Sequence, residues 1–183
     1  MLTKPTKADL STAKDKLVPD VIAPGLRVLF CGINPGLYSA AIGHHFGRPG
    51  NRFWPALYAG GFTPRLFTPY EETELLSLGL GIVSLVNRAS LAADELTTEE
   101  LVAGAQRLTA KVEQYQPRWV AVLTIGLYRR AFVRPQAQVG LQPETIAGSR
   151  LWLLPNPSGL NAHYTPSALG ELFGALREAV DLS

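Results

Sequence analysis

Leu26-Arg27-Val28-Leu29-Phe30-Cys31-Gly32-Ile33, followed directly by Asn34-Pro35-Gly36, is the stretch that decides how this chain folds. A nearly unbroken apolar run that ends in an Asn-Pro-Gly turn reads as a strand buried on both faces and stopped at a rigid corner. Three further segments share this character: Leu80–Val86 (LGIVSLV), Trp119–Ile125 (WVAVLTI) and Leu151–Leu154 (LWLL). Helical patterns lie between them. Arg52–Ala59 carries Phe53, Leu57 and Tyr58 at helical spacing, and Glu71–Ser77 is a short candidate. Thr97–Tyr115 has Leu101, Ala105, Leu108 and Val112 on one stripe, behind a Thr97/Glu100 capping-box pattern. The last helix begins at Thr165 with Pro166 in its first turn, and Leu169, Leu172, Phe173, Leu176 and Val180 form its apolar face.

Strands that alternate with helices predict an α/β fold, a three-layer α/β/α sandwich around a central, mostly parallel four-stranded sheet with right-handed crossovers. Ligands of such sheets bind beyond the carboxyl ends of the strands. The 183 residues suit a single domain over 21–183. A polar N-terminal extension over 1–20 is expected to be flexible. Thr63–Tyr70 and Arg134–Ser149 read as surface loops.

Hydrophobic residues make up 46% and charged residues 17%, as in globular chains. No apolar run approaches the roughly 18 residues of a membrane span, and the N-terminus has no secretory h-region. No membrane association is therefore expected. The single cysteine, Cys31, excludes an internal disulfide and a thiolate-held iron–sulfur cluster. It reads as a small core residue in a reducing, cytoplasmic setting. The net charge of +2 decides little, but its distribution is informative. Val21–Tyr70 contains no acid, against Arg27, Arg48, Arg52 and Arg65; Gln114–Gly170 contains only Glu144, against Arg118, Arg129, Arg130, Arg134 and Arg150. Folded together, these stretches would present one positive face suited to a phosphate backbone.

Two motifs fall at strand ends: Gly32-Ile33-Asn34-Pro35-Gly36 and Leu154-Pro155-Asn156-Pro157-Ser158-Gly159-Leu160. Neither is a phosphate loop, since GxxxxGK[ST] and GxGxxG are both missing. Between Asn34 and Asn51 runs a Gly-rich loop without clear secondary structure, which holds Tyr38, His44, His45 and Phe46. Loops of that length are usually functional, and an aromatic on one can stack on a planar base. The histidines have no third ligand at metal-site spacing, so no metal is expected.

The stretches APGLRVLFCGINPG, PGNRFW and LPNPSGL together resemble the mismatch-specific uracil/thymine-DNA glycosylases, a branch of the uracil-DNA glycosylase superfamily, from about Ala23 to the last helix. The resemblance implies monofunctional base excision repair without a cofactor, on double-stranded DNA with G·U or related mismatches; a protein that wraps one lesion is expected to be a monomer. It implies that Asn34 positions the attacking water, that Phe46 stacks on the flipped base, and that backbone groups around Ile33, Gly36 and Phe46 read the base edge. Ser39 would shape the pocket at the pyrimidine 5-position. Asn156 would belong to the base pocket, while Ser158, Gly159, Leu160 and Asn161 would form the loop that enters the duplex, with Leu160 as wedge. Ala162 stands where the family pattern often carries Arg, so the grip on DNA is expected to differ. Asp94, in ASLAADELT, follows the second strand and is a candidate catalytic helper; a solvated acid near a helix start is the alternative. Two other activities compete with glycosylase: a non-catalytic reader of damaged DNA, and a small-molecule hydrolase or nucleotide binder.

Overall fold

The computed structural model describes residues 4–183. Its sheet is built from β1 (Val28–Gly32), β2 (Leu80–Ser84), β3 (Trp119–Leu123), β4 (Gly140–Ile146) and β5 (Ser149–Leu154). The order is β2-β1-β3-β5-β4; the first four are parallel and β4 runs antiparallel to β5. The sheet thus has five strands rather than the expected four. The four apolar runs became the four parallel strands. The extra strand lies within the expected loop Arg134–Ser149, because only Gln142 and Ile146 of its residues are buried. Pro143 sits in its middle, and its register against β5 shifts between Leu141 and Thr145. Outside β2, Val21 and Ile82 exchange both backbone hydrogen bonds, at 2.9 and 2.8 Å.

Among the described residues, six α-helices accompany the sheet: α1 (Lys7–Ser11), α2 (Leu37–Ile42), α3 (Phe53–Ala59), α4 (Thr98–Tyr115), α5 (Ile125–Ala131) and α6 (Pro166–Asp181). On one face, Phe30 of β1 packs among Phe53 and Phe173 from α3 and α6. On the other, Leu29, Cys31 and Val83 meet Leu101, Leu108 and Val112 of α4 and Leu127 of α5. These two apolar layers are the reason the central strands carry no alternation. Burial pushes the Cys31 thiol up to about 12, which suits a core residue and not a nucleophile. The Thr97/Glu100 capping box forms, as does the Thr165 cap.

Two local expectations are corrected, and the N-terminal segment gains detail. Glu71–Ser77 lies in a longer 3-10 helix, Pro69–Leu78, closed by Gly79 in the left-handed region. The loop between Asn34 and Asn51 contains α2, a helix short enough to escape a periodicity search. The polar N-terminal extension holds α1, capped by a Thr6/Asp9 capping box. Ala13 and Val18 behind it are buried with Ala40 of α2 and Ala89, so small apolar side chains anchor a segment whose composition is mostly polar. No described helix is long and apolar enough to cross a membrane.

The fit of α4 against Leu85, the residue that follows β2, is close. A Cβ added at Gly104 would lie 2.6 Å from the Leu85 carbonyl oxygen and 3.0 Å from Leu85 Cγ. Gly104→Ala is expected to push the helix off the sheet and cost about 1–3 kcal/mol, despite the better helix propensity of Ala. Denaturant melts read this directly; a gain in stability would show that the gap yields freely.

Candidate active site

The strand order places β1 between the strand that follows it and the strand after that. The chain therefore reverses direction across the sheet at β1/β3, where a crevice opens at the carboxyl ends. A cleft of about 400 Å³ lies there. Gly32, Ile33, Asn34 and Gly36 line it from β1, Ser84 from β2, Leu123 from β3, and Asn156, Ser158, Leu160 and Asn161 from beyond β5.

Asn34 is held by the loop that follows β2. Its Nδ2 donates to the Arg88 carbonyl at 3.0 Å and to Ser90 Oγ at 2.8 Å. A backbone carbonyl only accepts, so this contact fixes which end of the amide is nitrogen. Ser90 is buried and its hydroxyl donates to Ala92 O at 2.7 Å, which leaves its lone pair for Asn34. No described group donates to Asn34 Oδ1, which remains an acceptor on a cleft-lining residue. Arg88 is itself tied down, its guanidinium clasping Glu100 in the α4 capping box at 2.6 and 3.1 Å. That contact holds the Glu100 carboxyl down at about 2.

Phe46 has φ +51°, a left-handed conformation rare for an aromatic. Its ring stacks on Phe53 at 4.1 Å between centroids and 22° between planes. A Cβ at Gly32 would lie 3.1 Å from Phe46 Cζ, so glycine leaves the ring its place. The loop is fastened on both sides of this strained residue. Ser39 Oγ, buried in α2, accepts the Gly47 N–H at 3.0 Å. Buried Glu72 accepts the His45 N–H at 2.8 Å and contacts His44 Nδ1 at 2.8 Å. His45 Nε2 lies 2.9 Å from the Pro19 carbonyl, which requires the proton on Nε2. Burial of the imidazole depresses the His45 pKa below its ordinary value, against the opposing pull of Glu72 and Pro19.

The turn after β5 is shaped by its own side chains. Asn156 Oδ1 accepts the Ser158 N–H at 2.9 Å, Asn161 Nδ2 donates to Asn156 O at 3.0 Å, and Ser158 Oγ accepts from Leu160 N at 3.3 Å. Gly159 is outside the cleft lining; a Cβ on it would lie 2.4 Å from Gly50 O, so only glycine permits this approach of two loops. Leu160 is 75% exposed at the cleft mouth.

Asp94 is not brought into the cleft. It lies exposed in a 3-10 turn, Ala93–Glu95, whose Ala92 and Ala93 do line the cavity. The single positive face is also corrected. Arg27, Arg118 and Arg150 sit at the amino ends of the strands, opposite the cleft, with Arg27 paired to Asp181 at 2.5 Å. Arg65 and Arg134 pair with acids. Among the described residues, no Asp or Glu lines the cleft, and Arg48 is the one Lys or Arg that does. The Arg48 guanidinium makes no hydrogen bond or ion pair with the described residues, while its carbonyl accepts the Asn51 N–H at 3.0 Å. Sequence reasoning missed Ser90, Glu72 and Arg52, whose roles come from contacts tens of residues away; no local pattern marks them. Among the described residues, no three His, Cys, Asp or Glu side chains are grouped as metal ligands.

The site thus combines a doubly wound sheet, an amide at its switch point, an aromatic ring lining the same cleft and an exposed apolar side chain at the mouth. The chain matches the family model of the uracil DNA glycosylase superfamily over residues 19–177, and it belongs to that superfamily. It is accordingly a DNA glycosylase, a hydrolase of base excision repair that acts on DNA.

The His45 environment has a measurable consequence. The native state holds the neutral imidazole, so the stability it contributes is complete above the ordinary value of about 6.5 and declines as the pH falls below it, where only the unfolded chain binds the proton. Thermal melts over about pH 8 to 5 are expected to fall on the acid side, and less steeply in His45→Gln. Identical slopes would remove His45 as the cause.

Proposed function

We propose that the protein is a mismatch-specific uracil-DNA glycosylase. It is a monofunctional enzyme that, as a monomer, hydrolyses the N-glycosidic bond of uracil, and of thymine or modified pyrimidines, in mismatched duplex DNA and leaves an abasic site. The observation that carries this reading is the tethered amide of Asn34, whose nitrogen is occupied by Arg88 and Ser90 and whose oxygen is free beside the Phe46 platform.

In this reading the uracil leaves the base stack and enters the cleft, at a cost of a few kcal/mol that is lower for a mispaired base. Phe46 receives it on the ring face opposite Phe53. Backbone groups around Ile33, Gly36 and Phe46 accept the base edge, Ser39 and Asn156 bound the pocket, and Leu160 fills the gap left in the duplex. Ser158, Gly159 and Asn161 give Leu160 its turn. The C1′–N1 bond breaks with its electron pair going to the uracil ring, while a water held on Asn34 Oδ1 forms the new C1′–O bond and gives its proton to solvent. Asn34 carries no charge and takes no proton, so the rate comes from positioning and from amide dipoles aimed at the departing anion. The exposed Asp94 takes part as an auxiliary carboxylate only if its turn closes over the bound nucleotide.

Single-turnover cleavage of a labelled G·U duplex tests the assignment. Asn34→Ala is expected to lower the rate by at least about 100-fold with the fold intact. Full activity in that variant would overturn the role of Asn34, and no excision by the wild type, despite salt-sensitive binding, would make the protein a reader of damage. Asp94→Ala in the same assay decides the helper role, which an unchanged rate would remove.

Arg48, free at the cleft mouth, is assigned to a phosphate of the extruded nucleotide. Arg48→Gln is expected to weaken duplex binding and to reduce the slope of log K against log salt by about one. An unchanged slope would place Arg48 off the DNA.

A further inference from the structure

Leu160 is 75% exposed, so its position depends chiefly on the backbone that carries it. That backbone is fastened to the rest of the protein chiefly by one residue. Arg52 Nη1 donates to Tyr164 O at 2.5 Å, and Nη2 donates to Ser158 O at 2.5 Å and Asn161 O at 2.7 Å. Its own N–H donates to Pro157 O at 2.9 Å. The hydrogen bonds of Asn156, Ser158 and Asn161 shape the turn from within but do not attach it elsewhere. No carboxylate among the described residues pairs with the Arg52 guanidinium, and its Nε is buried without a partner. A planar fork of donors meeting three carbonyls holds geometry in a way that a point charge does not. The next residue in the chain is Phe53, on which Phe46 stacks.

We propose that Arg52 is a positioning residue that holds the Leu160 turn at a fixed height over the cleft, so that one end of α3 sets both the wedge and the base platform. The proposal rests on the roles given above to Leu160 and Phe46. A wedge so held enters the duplex without first being ordered, and the cost of ordering the turn is met during folding, not during base extrusion.

The test compares single-turnover excision of uracil opposite guanine with excision of uracil opposite an abasic spacer, where little pairing has to be broken. Arg52→Met, Arg52→Lys, Leu160→Ala and the Arg52→Met/Leu160→Ala double variant are used, and 2-aminopurine beside the uracil reports unstacking. Arg52→Met is expected to lower the guanine-to-spacer rate ratio by about tenfold, as Leu160→Ala does, with weaker 2-aminopurine fluorescence. Arg52→Lys should recover part of the ratio, and the double variant should fall no lower than Leu160→Ala alone. A wild-type ratio in Arg52→Met, or losses that multiply in the double variant, would overturn the proposal. If Arg52→Met does not fold, the ratio in Arg52→Lys decides the matter. A wild-type ratio in Leu160→Ala would instead sink the wedge assignment itself.

Discussion

The central strand β1 hydrogen-bonds to β2 on one side and to β3 on the other, and Val28 to Cys31 have no solvent-exposed surface. Everything else in the molecule follows from that burial. A strand covered on both faces needs helices on both sides, and parallel neighbours need crossovers that return every strand in the same direction. All four parallel strands then end at one rim, and the apolar run at β1 has to stop there in residues that can turn. Asn34, Pro35 and Gly36 serve that need, and the same turn carries the amide that faces the cleft. Fold and chemistry meet in one short segment because the end of a buried strand is the place where a polar side chain is both rigidly held and able to reach a substrate.

The rim is assembled from pieces that stabilise one another pairwise. The loop after β2 holds Asn34, and Glu100 of α4 holds Arg88 in that loop. The first turn of α3 supports Phe46 from behind and the turn after β5 from below. Side chains held pairwise in this way are fixed before any ligand arrives, so little reorganisation is needed at the rim.

Much of the fold was legible because its signals are local. β1, β2, β3 and β5 are continuous apolar runs, and α4 and α6 have caps and stripes within their own residues. β4 was not legible, since its two buried positions, four residues apart and around a proline, imitate a loop. α5 begins after Thr124, which offers no side-chain cap, and runs for a mere seven residues. Within the site, Asn34, Phe46 and Leu160 stood out through their setting of Gly and Pro. Ser90 and Arg52 did not, because their partners lie 56 and 106–112 residues away in the chain. Asp94 shows the opposite limit: its place in the chain put it near the rim, and only the fold shows that its side chain is exposed, as the solvated alternative expected.

The sheet ends differently on its two sides. At one margin β4 has a proline at its middle and a break in register; at the other, Val21 takes up the outward hydrogen bonds of Ile82. Unpaired strand margins are where one folded chain can recruit another into a continuous ladder, and prolines, irregular pairing and covering segments are what prevent it. With both margins interrupted, neither offers a long, regular run of free backbone groups that a second copy could extend into a shared sheet.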